Sequence, residues 1–541
     1  MAANGTLKGV APGATLLAYK VLDSSGSGSW SGIIAGLERA VADGARIANL
    51  SLGGTGYPDD PVSKAVDNAD AAGMLCVVAA GNSGPAYQTV ESPGVARSAL
   101  TVGATDKSDQ IAYYSSRGPV DIGGGAFLIK PEILAPGVTI TSTIRGGGYG
   151  AKSGTSMAAP HVAGAAALVR QARPTWTPGQ VKALLTGWAR PLNFDAATQG
   201  SGRLDVAASF AANALFEAAN VSFGLVRGSL AVTRQQDVQL RNPGTLSRTY
   251  NLSVAGTQPA GATLTVSPNS VTLGGGAAGA VRVTLTIDPT VTPDMEDWPF
   301  SYEARLRADP VSGSSTAVAL AGGLPLVFHK GPSVDLVFDD GLIVLGFYNA
   351  VTDSHRPRSV MPTSPAIQML PAGKWDLFAT WATWGNSKWT YHTVIVPDVT
   401  VPRTGSVELR KSQATVPVTL APTDELHRPL TEPVDIREIA AYGRFGASPA
   451  RSFGSIYVPK GSDLLFSPLS APHGVAVGAI AYARTPKRFY SYTWWSTGLA
   501  SAQTIPKSNS TFRRLEADFV PPRQAEPRWY RGVTFVGTGS G

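Results

Sequence analysis

One cysteine in 541 residues, Cys76, leaves no partner for an internal disulfide and rules out a cysteine-based metal cluster. It falls in MLCVVAA, an unbroken apolar run in which a thiol is buried and structural. Charge is also scarce, at 15% of residues with a net +7. Lysines and arginines are not clustered with interleaved aromatics, which argues against a nucleic-acid partner. No apolar stretch approaches the roughly 20 residues that a membrane-spanning helix needs. The opening MAANGTLKGVAPG shows neither the charged nor the apolar region of a secretory leader. What the chain does have is glycine (60), proline (40) and 43% hydrophobic residues, the composition of a packed, turn-rich globular protein. Its length implies roughly three or four domains.

Two grammars divide the chain. Residues 14–190 alternate strand and helix patterns. TLLAYKVL (15–22), RIANLSL, MLCVVAA, SALTVGA and ITSTI read as strands, the first three as buried parallel ones. WSGIIAGLERAVADG carries Ile33, Ile34, Leu37 and Val41 at helical spacing, with Gly44 as a stop. DPVSKAVDNADAAG is a second helix closed by Gly73, and a third runs from Ser156 to about Ala172, before Pro174. In TPGQVKALL, Thr177, Pro178 and Gln180 form a capping box. This alternation predicts an α/β fold with a mostly parallel sheet covered on both faces, and ligands at the carboxyl ends of its strands. From about residue 221 short runs alternate apolar and polar residues between Asn-Pro-Gly and Gly-Gly punctuation, the pattern of an all-β sandwich.

SGTSMAAPHVAGAAALV (153–169) places a serine between a Gly-Thr turn and an apolar helix. Gly154 permits the turn, and the helix start offers Ser156 unpaired N–H groups and a positive dipole end, as an acyl-transfer site requires. Pro160 reads as a first-turn proline whose missing N–H costs little.

The segment resembles the serine signature of the subtilisin-like serine proteases, the subtilases, nearly residue for residue. Other blocks follow in the family's order: GVAPGATLLAYKVL (9–22), GSGSW (26–30), NLSLGG (49–54), VVAAGNSG (77–84), SSRGP (115–119) and KPEILAPG (130–137). The resemblance implies Ser156 as nucleophile, with the side-chain amide of Asn82 and the Ser156 N–H holding the oxyanion. It implies Ser27 and Gly28 on one side, and Ser51, Leu52 and Gly53 on the other, as backbone partners of an extended peptide. Trp30 would cap an apolar subsite. Ala80 and Gly81 would line a primary pocket whose small walls leave room for a large apolar residue, and Gly154 and Thr155, beside the serine, would also bind substrate.

The family's catalytic order is Asp, His, Ser. Its acid and histidine blocks belong ahead of GVAPGA, and neither is in this chain. None of the six histidines is a substitute. His161 lies five residues past Ser156, and His329, His355, His392, His427 and His473 lie in the β-rich half. A serine hydroxyl without a base is a poor nucleophile. The expectation is the C-terminal part of a secreted endopeptidase, inactive alone, and the alternative is an inactive binding or scaffold protein. Residues 1–210 are then expected to expose a hydrophobic sheet edge and to aggregate in isolation.

The domains expected are residues 1–212, an N-terminally incomplete subtilisin-like peptidase domain; 221–332, a fibronectin type III-like sandwich; 333–412, a small transthyretin-like β-domain; and 413–541, a further β-rich domain. No cofactor is expected in this chain, calcium being a feature of a full-length parent. FDDG (338–341) reads as an acidic turn rather than a calcium loop. The tryptophans of WDLFATWATWGNSKW and YSYTWWS fit either buried sandwich aromatics or a face for polysaccharide or cell surface.

Overall fold

The structure is a computed structural model. It describes residues 5–144, 146–295, 299–311 and 323–331, and most of the strands between 333 and 505, and it divides the chain into two compact units. The first runs to Val334 and holds the α/β region and a sandwich, and most of the second lies beyond it.

In the first unit, four parallel strands form one sheet in chain order: β1 (Ile47–Leu50), β2 (Leu75–Ala79), β3 (Leu100–Thr105) and β4 (Ile133–Pro136). Their register pairs Ile47 with Leu75, Val77 with Leu100 and Val102 with Ile133. Successive residues of the apolar run in β2 face opposite ways. Leu75, Val77 and Ala79 join a core with Ala158, Val162 and Val169, whereas Cys76 and Val78 join a second core with Ile33, Leu37 and Val66. Full burial of a side chain such as Val77 contributes about 1.5–3 kcal/mol. Burial also pushes the Cys76 thiol up to about 12, so it stays protonated and inert.

Helices α1 (Trp30–Ala42) and α2 (Pro61–Ala71) cover one face, and α3 (Thr155–Ala172) and α4 (Pro178–Gly187) the other. Their ends follow local chemistry. Ser29 Oγ accepts from Gly32 N–H at the start of α1, and Asp60 accepts from Ser63 N–H at the start of α2. Both bonds of the Thr177–Gln180 capping box form, at 3.0 and 3.2 Å.

Three strand expectations change. TLLAYKVL is extended but pairs with no strand among the described residues, and Leu16 and Leu17 are 62% and 52% exposed. β1 is hydrogen-bonded to β2 alone among them, so RIANLSL is a half-buried edge rather than a buried strand. ITSTI gives Ile140–Thr143, which forms an exposed hairpin with Tyr149–Lys152 and stays out of the parallel sheet. The fourth parallel strand comes instead from EILAP, too short and too broken by prolines to announce itself.

Pro160 is the sixth residue of α3, not a first-turn residue. Its missing N–H leaves the carbonyl of Ser156 without a helical donor.

The sandwich begins at Leu215–Phe216, ahead of the expected boundary at 221. Its two sheets have strand orders 221–225, 324–329, 301–310, 248–255, 270–273 and 262–267, 278–287, 232–241, 215–216. Tyr250, Leu252, Val281, Leu285, Leu306 and Leu326 from both sheets share one core.

In the second unit the described regular structure is β strand plus a single 3-10 turn at Lys411–Gln413. Lys374–Gly385 and Lys388–Thr400 form a long hairpin around Asn386 and Ser387, both with positive φ, as a two-residue turn of matching twist requires. Trp375 and Trp381 are buried, and Trp384 and Trp389 pair edge-to-face near the turn with centroids 5.2 Å apart. Lys388–Thr400 also pairs with Asp463–Phe466, which pairs with Val416–Leu420. One sheet therefore crosses the boundary drawn at 412/413; alternation marks strands but does not say which strands are partners. Asp339, in the FDDG stretch, accepts from Lys411 N–H at 2.8 Å and pairs with Arg410; Asp340 and Gly341 lie outside the described residues. His427, His473 and most of YSYTWWS's environment lie outside what is described.

Candidate active site

The carboxyl ends of β1 and β2 and the start of α3 converge on one place. Ser51, just past β1, donates from Oγ to the Ser156 carbonyl at 2.8 Å, and Ser156 Oγ donates back to the Ser51 carbonyl at 3.4 Å. Ala80, Gly81 and Asn82 follow β2. Thr155, wholly buried as the first residue of α3, exchanges hydrogen bonds with Gly81: its Oγ1 accepts from Gly81 N–H at 3.3 Å and is 3.2 Å from the Gly81 carbonyl. Gly81 has φ +107 and Gly154 φ +153, conformations that glycine adopts without strain.

Thr155 also fixes Asn82. The Asn82 Oδ1 accepts from Thr155 N–H at 2.9 Å and from Thr155 Oγ1 at 3.1 Å. With its oxygen held, the carboxamide turns its NH2 group to the open side. Among the described residues neither that NH2 nor the Ser156 N–H has an acceptor. A Cβ at Gly154 would stand 3.7 Å from Ser156 N and 3.8 Å from Asn82 Nδ2, so the absence of a side chain keeps the space between the two donors clear. Two unspent donors beside a hydroxyl at a helix N-terminus suit a developing oxyanion.

The other expected residues border this place. Leu52 and Gly53 run on from Ser51 with no strand partner among the described residues, and Gly54 bridges to Ser92. Trp30 is half-exposed, its ring 3.2 Å from where a Gly54 Cβ would be. Ser27 differs from expectation. Its carbonyl accepts from Asp23 N–H at 2.7 Å and its N–H donates to the Asp23 carboxylate at 3.0 Å, so its backbone is spent within its own turn. Gly28 is the member of that pair left with an unspent N–H. Thr155, expected to touch substrate, is fully covered, and its hydrogen bonds run to Gly81 and Asn82.

No histidine stands beside Ser156 Oγ among the described residues. His161 Nδ1 lies 2.9 Å from the Met157 carbonyl, one turn back along its own helix, and burial lowers its pKa. No group of three potential metal ligands occurs among the described residues.

One residue of the cleft was not anticipated. Glu91 reaches between Gly53 and Gly81: a Cβ on Gly53 would stand 3.1 Å from Glu91 Oε2, and one on Gly81 would stand 2.6 Å from its Cδ. The only sequence signal was an acidic residue ahead of Ser-Pro-Gly, which had no pattern to set it apart.

The profile of the subtilase family matches residues 1–210. The chain is similar to the minor extracellular protease Vpr of Bacillus subtilis, at 30% identity over 47% of this chain and 49% of that protein. It is similar to subtilisin E of the same organism, at 44% identity over 37% of this chain and 50% of that protein. A subtilisin of Bacillus pumilus is 43% identical, with 70% of its length covered. The chain thus spans about half the length of the first two relatives.

Proposed function

The chain belongs to the subtilase family, and we propose on that premise that it carries the nucleophile and oxyanion half of an extracellular serine endopeptidase. Ser156 Oγ attacks a peptide carbonyl while a base takes its proton. The carbonyl oxygen, now negative, is held by the Asn82 amide and the Ser156 N–H. Collapse expels the amine, which takes that proton back from the base, and leaves an acyl group on Ser156 that water then removes, the base again moving the proton. The observation that carries this reading is the clamp of Thr155 on Asn82, which points the unspent amide to the same space as the Ser156 N–H.

The base and its acid partner come from polypeptide other than the described residues. In support, the Ser156 hydroxyl bonds a carbonyl, and no histidine among the described residues. In further support, β1 has one strand partner and segment 14–22 has none among the described residues, which leaves edge for more sheet to add.

The test is labelling by a fluorophosphonate probe, with Ser156→Ala as control. The expected result is no labelling of the full chain alone, and labelling of Ser156 when the chain is produced together with whatever its gene encodes ahead of Met1. Labelling of the chain alone would overturn the external base. Silence of both forms would favour a second reading, an inactive binding protein of the same family, to which the missing base also points.

A further inference from the structure

We propose that Glu91 sets the specificity of the primary pocket, selecting a lysine or arginine side chain on the residue whose carbonyl Ser156 attacks. The inference deepens the protease reading and rests on it.

The main chain fixes where the side chain points. Glu91 N–H donates to the Ala80 carbonyl at 2.9 Å, and the next residue, Ser92, exchanges two hydrogen bonds with Gly54, each 2.9 Å. Residue 91 is thus tied to both walls of the cleft, the one after β2 and the one after β1. Its side chain then fills the gap that Gly53 and Gly81 leave by having none, with Oε2 toward Gly53 and Cδ against Gly81. Either glycine replaced by alanine would push into this carboxyl group.

The charge there is uncompensated. Oε1 accepts from Ser83 Oγ at 2.6 Å, a neutral donor, and no lysine or arginine pairs with Glu91 among the described residues. Elsewhere in this unit, by contrast, buried Glu132 has two lysines and half-buried Asp294 has Lys330. A partly buried carboxylate without a cation, in a cleft between two glycine walls, is complementary to a long cationic side chain, whose methylenes cover the walls while its head meets the acid. The walls alone suggested a large apolar residue; the acid between them changes the chemistry of the pocket from apolar to anionic.

The pocket can be read by binding, without turnover. Fluorescein-labelled pentapeptides identical except for one residue, lysine, arginine, phenylalanine or alanine, are titrated into the full chain by fluorescence anisotropy. The expected result is about tenfold tighter binding of the lysine and arginine peptides than of phenylalanine, shrinking as salt is raised. Glu91→Gln keeps size and the Ser83 contact and is expected to abolish the preference. Ser83→Ala keeps the charge and is expected to preserve it. A preference for phenylalanine or alanine in the parent chain, or a cationic preference that survives in Glu91→Gln, overturns the assignment. If no peptide binds, the peptide-cleft reading fails and takes this inference with it; binding without cationic preference sinks the inference alone.

Discussion

Ser51 Oγ donates to the carbonyl oxygen of Ser156, at 2.8 Å, and that carbonyl is the one Pro160 leaves without its N–H donor four residues on. A proline inside a helix ordinarily costs a hydrogen bond. Here a hydroxyl from the end of β1 replaces it, and in doing so ties the Ser156 backbone to the segment that follows β1. Ser51→Ala is therefore expected to destabilise the protein by about 1–2 kcal/mol, the penalty for a covered carbonyl left unmet. In a Pro160→Ala background the helix regains its own donor, and the same Ser51 substitution should cost about 1 kcal/mol less. Guanidinium unfolding of the four proteins measures the coupling; strict additivity would show that the two residues do not share this carbonyl.

Glu132 stands between two buried ammonium groups. Its Oε1 pairs with Lys130 Nζ at 2.7 Å and Lys182 Nζ at 2.6 Å, while Oε2 accepts from Thr101 N–H at 2.7 Å. Burial pulls the Lys130 ammonium down to about 8, although Glu132 opposes the fall. Glu132→Gln leaves two positive charges facing each other, and a loss of about 3–5 kcal/mol at pH 7 is expected. Without its anion the folded Lys130 falls further than in the parent and sheds its proton at lower pH, so the variant recovers stability sooner and its deficit should narrow between pH 7 and 10. Stability curves at those two pH values are the check, and a deficit that widened with pH would refute the arrangement.

His329 is the acid-sensitive point of the sandwich. It is wholly buried, with Nδ1 3.1 Å from the Pro299 carbonyl, its ring against Phe127, and Nε2 without a partner among the described residues. Burial lowers its pKa to about 4. Because the unfolded chain binds the proton more tightly, the stability this group contributes is present above about pH 6.5 and lost as pH falls toward 4. The loss should reach roughly 3 kcal/mol. His329→Leu is expected to flatten the stability profile between pH 6.5 and 4 in urea titrations, and an unchanged slope would assign the acid sensitivity elsewhere.

Most of the α/β region was legible because its signals are local. The helices α1 to α4 follow from periodic apolar residues and from caps a few positions away, such as Asp60 on Ser63 and Thr177 with Gln180. The buried strand at MLCVVAA followed from a run apolar on both faces. TLLAYKVL carries the same signal and fails for a non-local reason: a strand is defined by its neighbour, and among the described residues it has none. RIANLSL is demoted to an edge by the same lack on one side of β1. EILAP went unseen because two flanking prolines masked a strand that the sheet itself stabilises.

The site divides in the same way. The sequence by itself determined which serine stands at the helix start and which asparagine follows β2; these are properties of short contiguous motifs. Only the tertiary structure decided that Thr155 holds Asn82, that Ser51 answers for Pro160, that Ser27 folds its backbone onto Asp23, and that Glu91 lies between Gly53 and Gly81. Each of those contacts, apart from the Asp23 turn, joins segments at least ten residues apart in sequence. Hydrogen bonds and close approach act over about 3 Å of space regardless of position in the chain, and composition and periodicity carry no information about which distant residues will share that space.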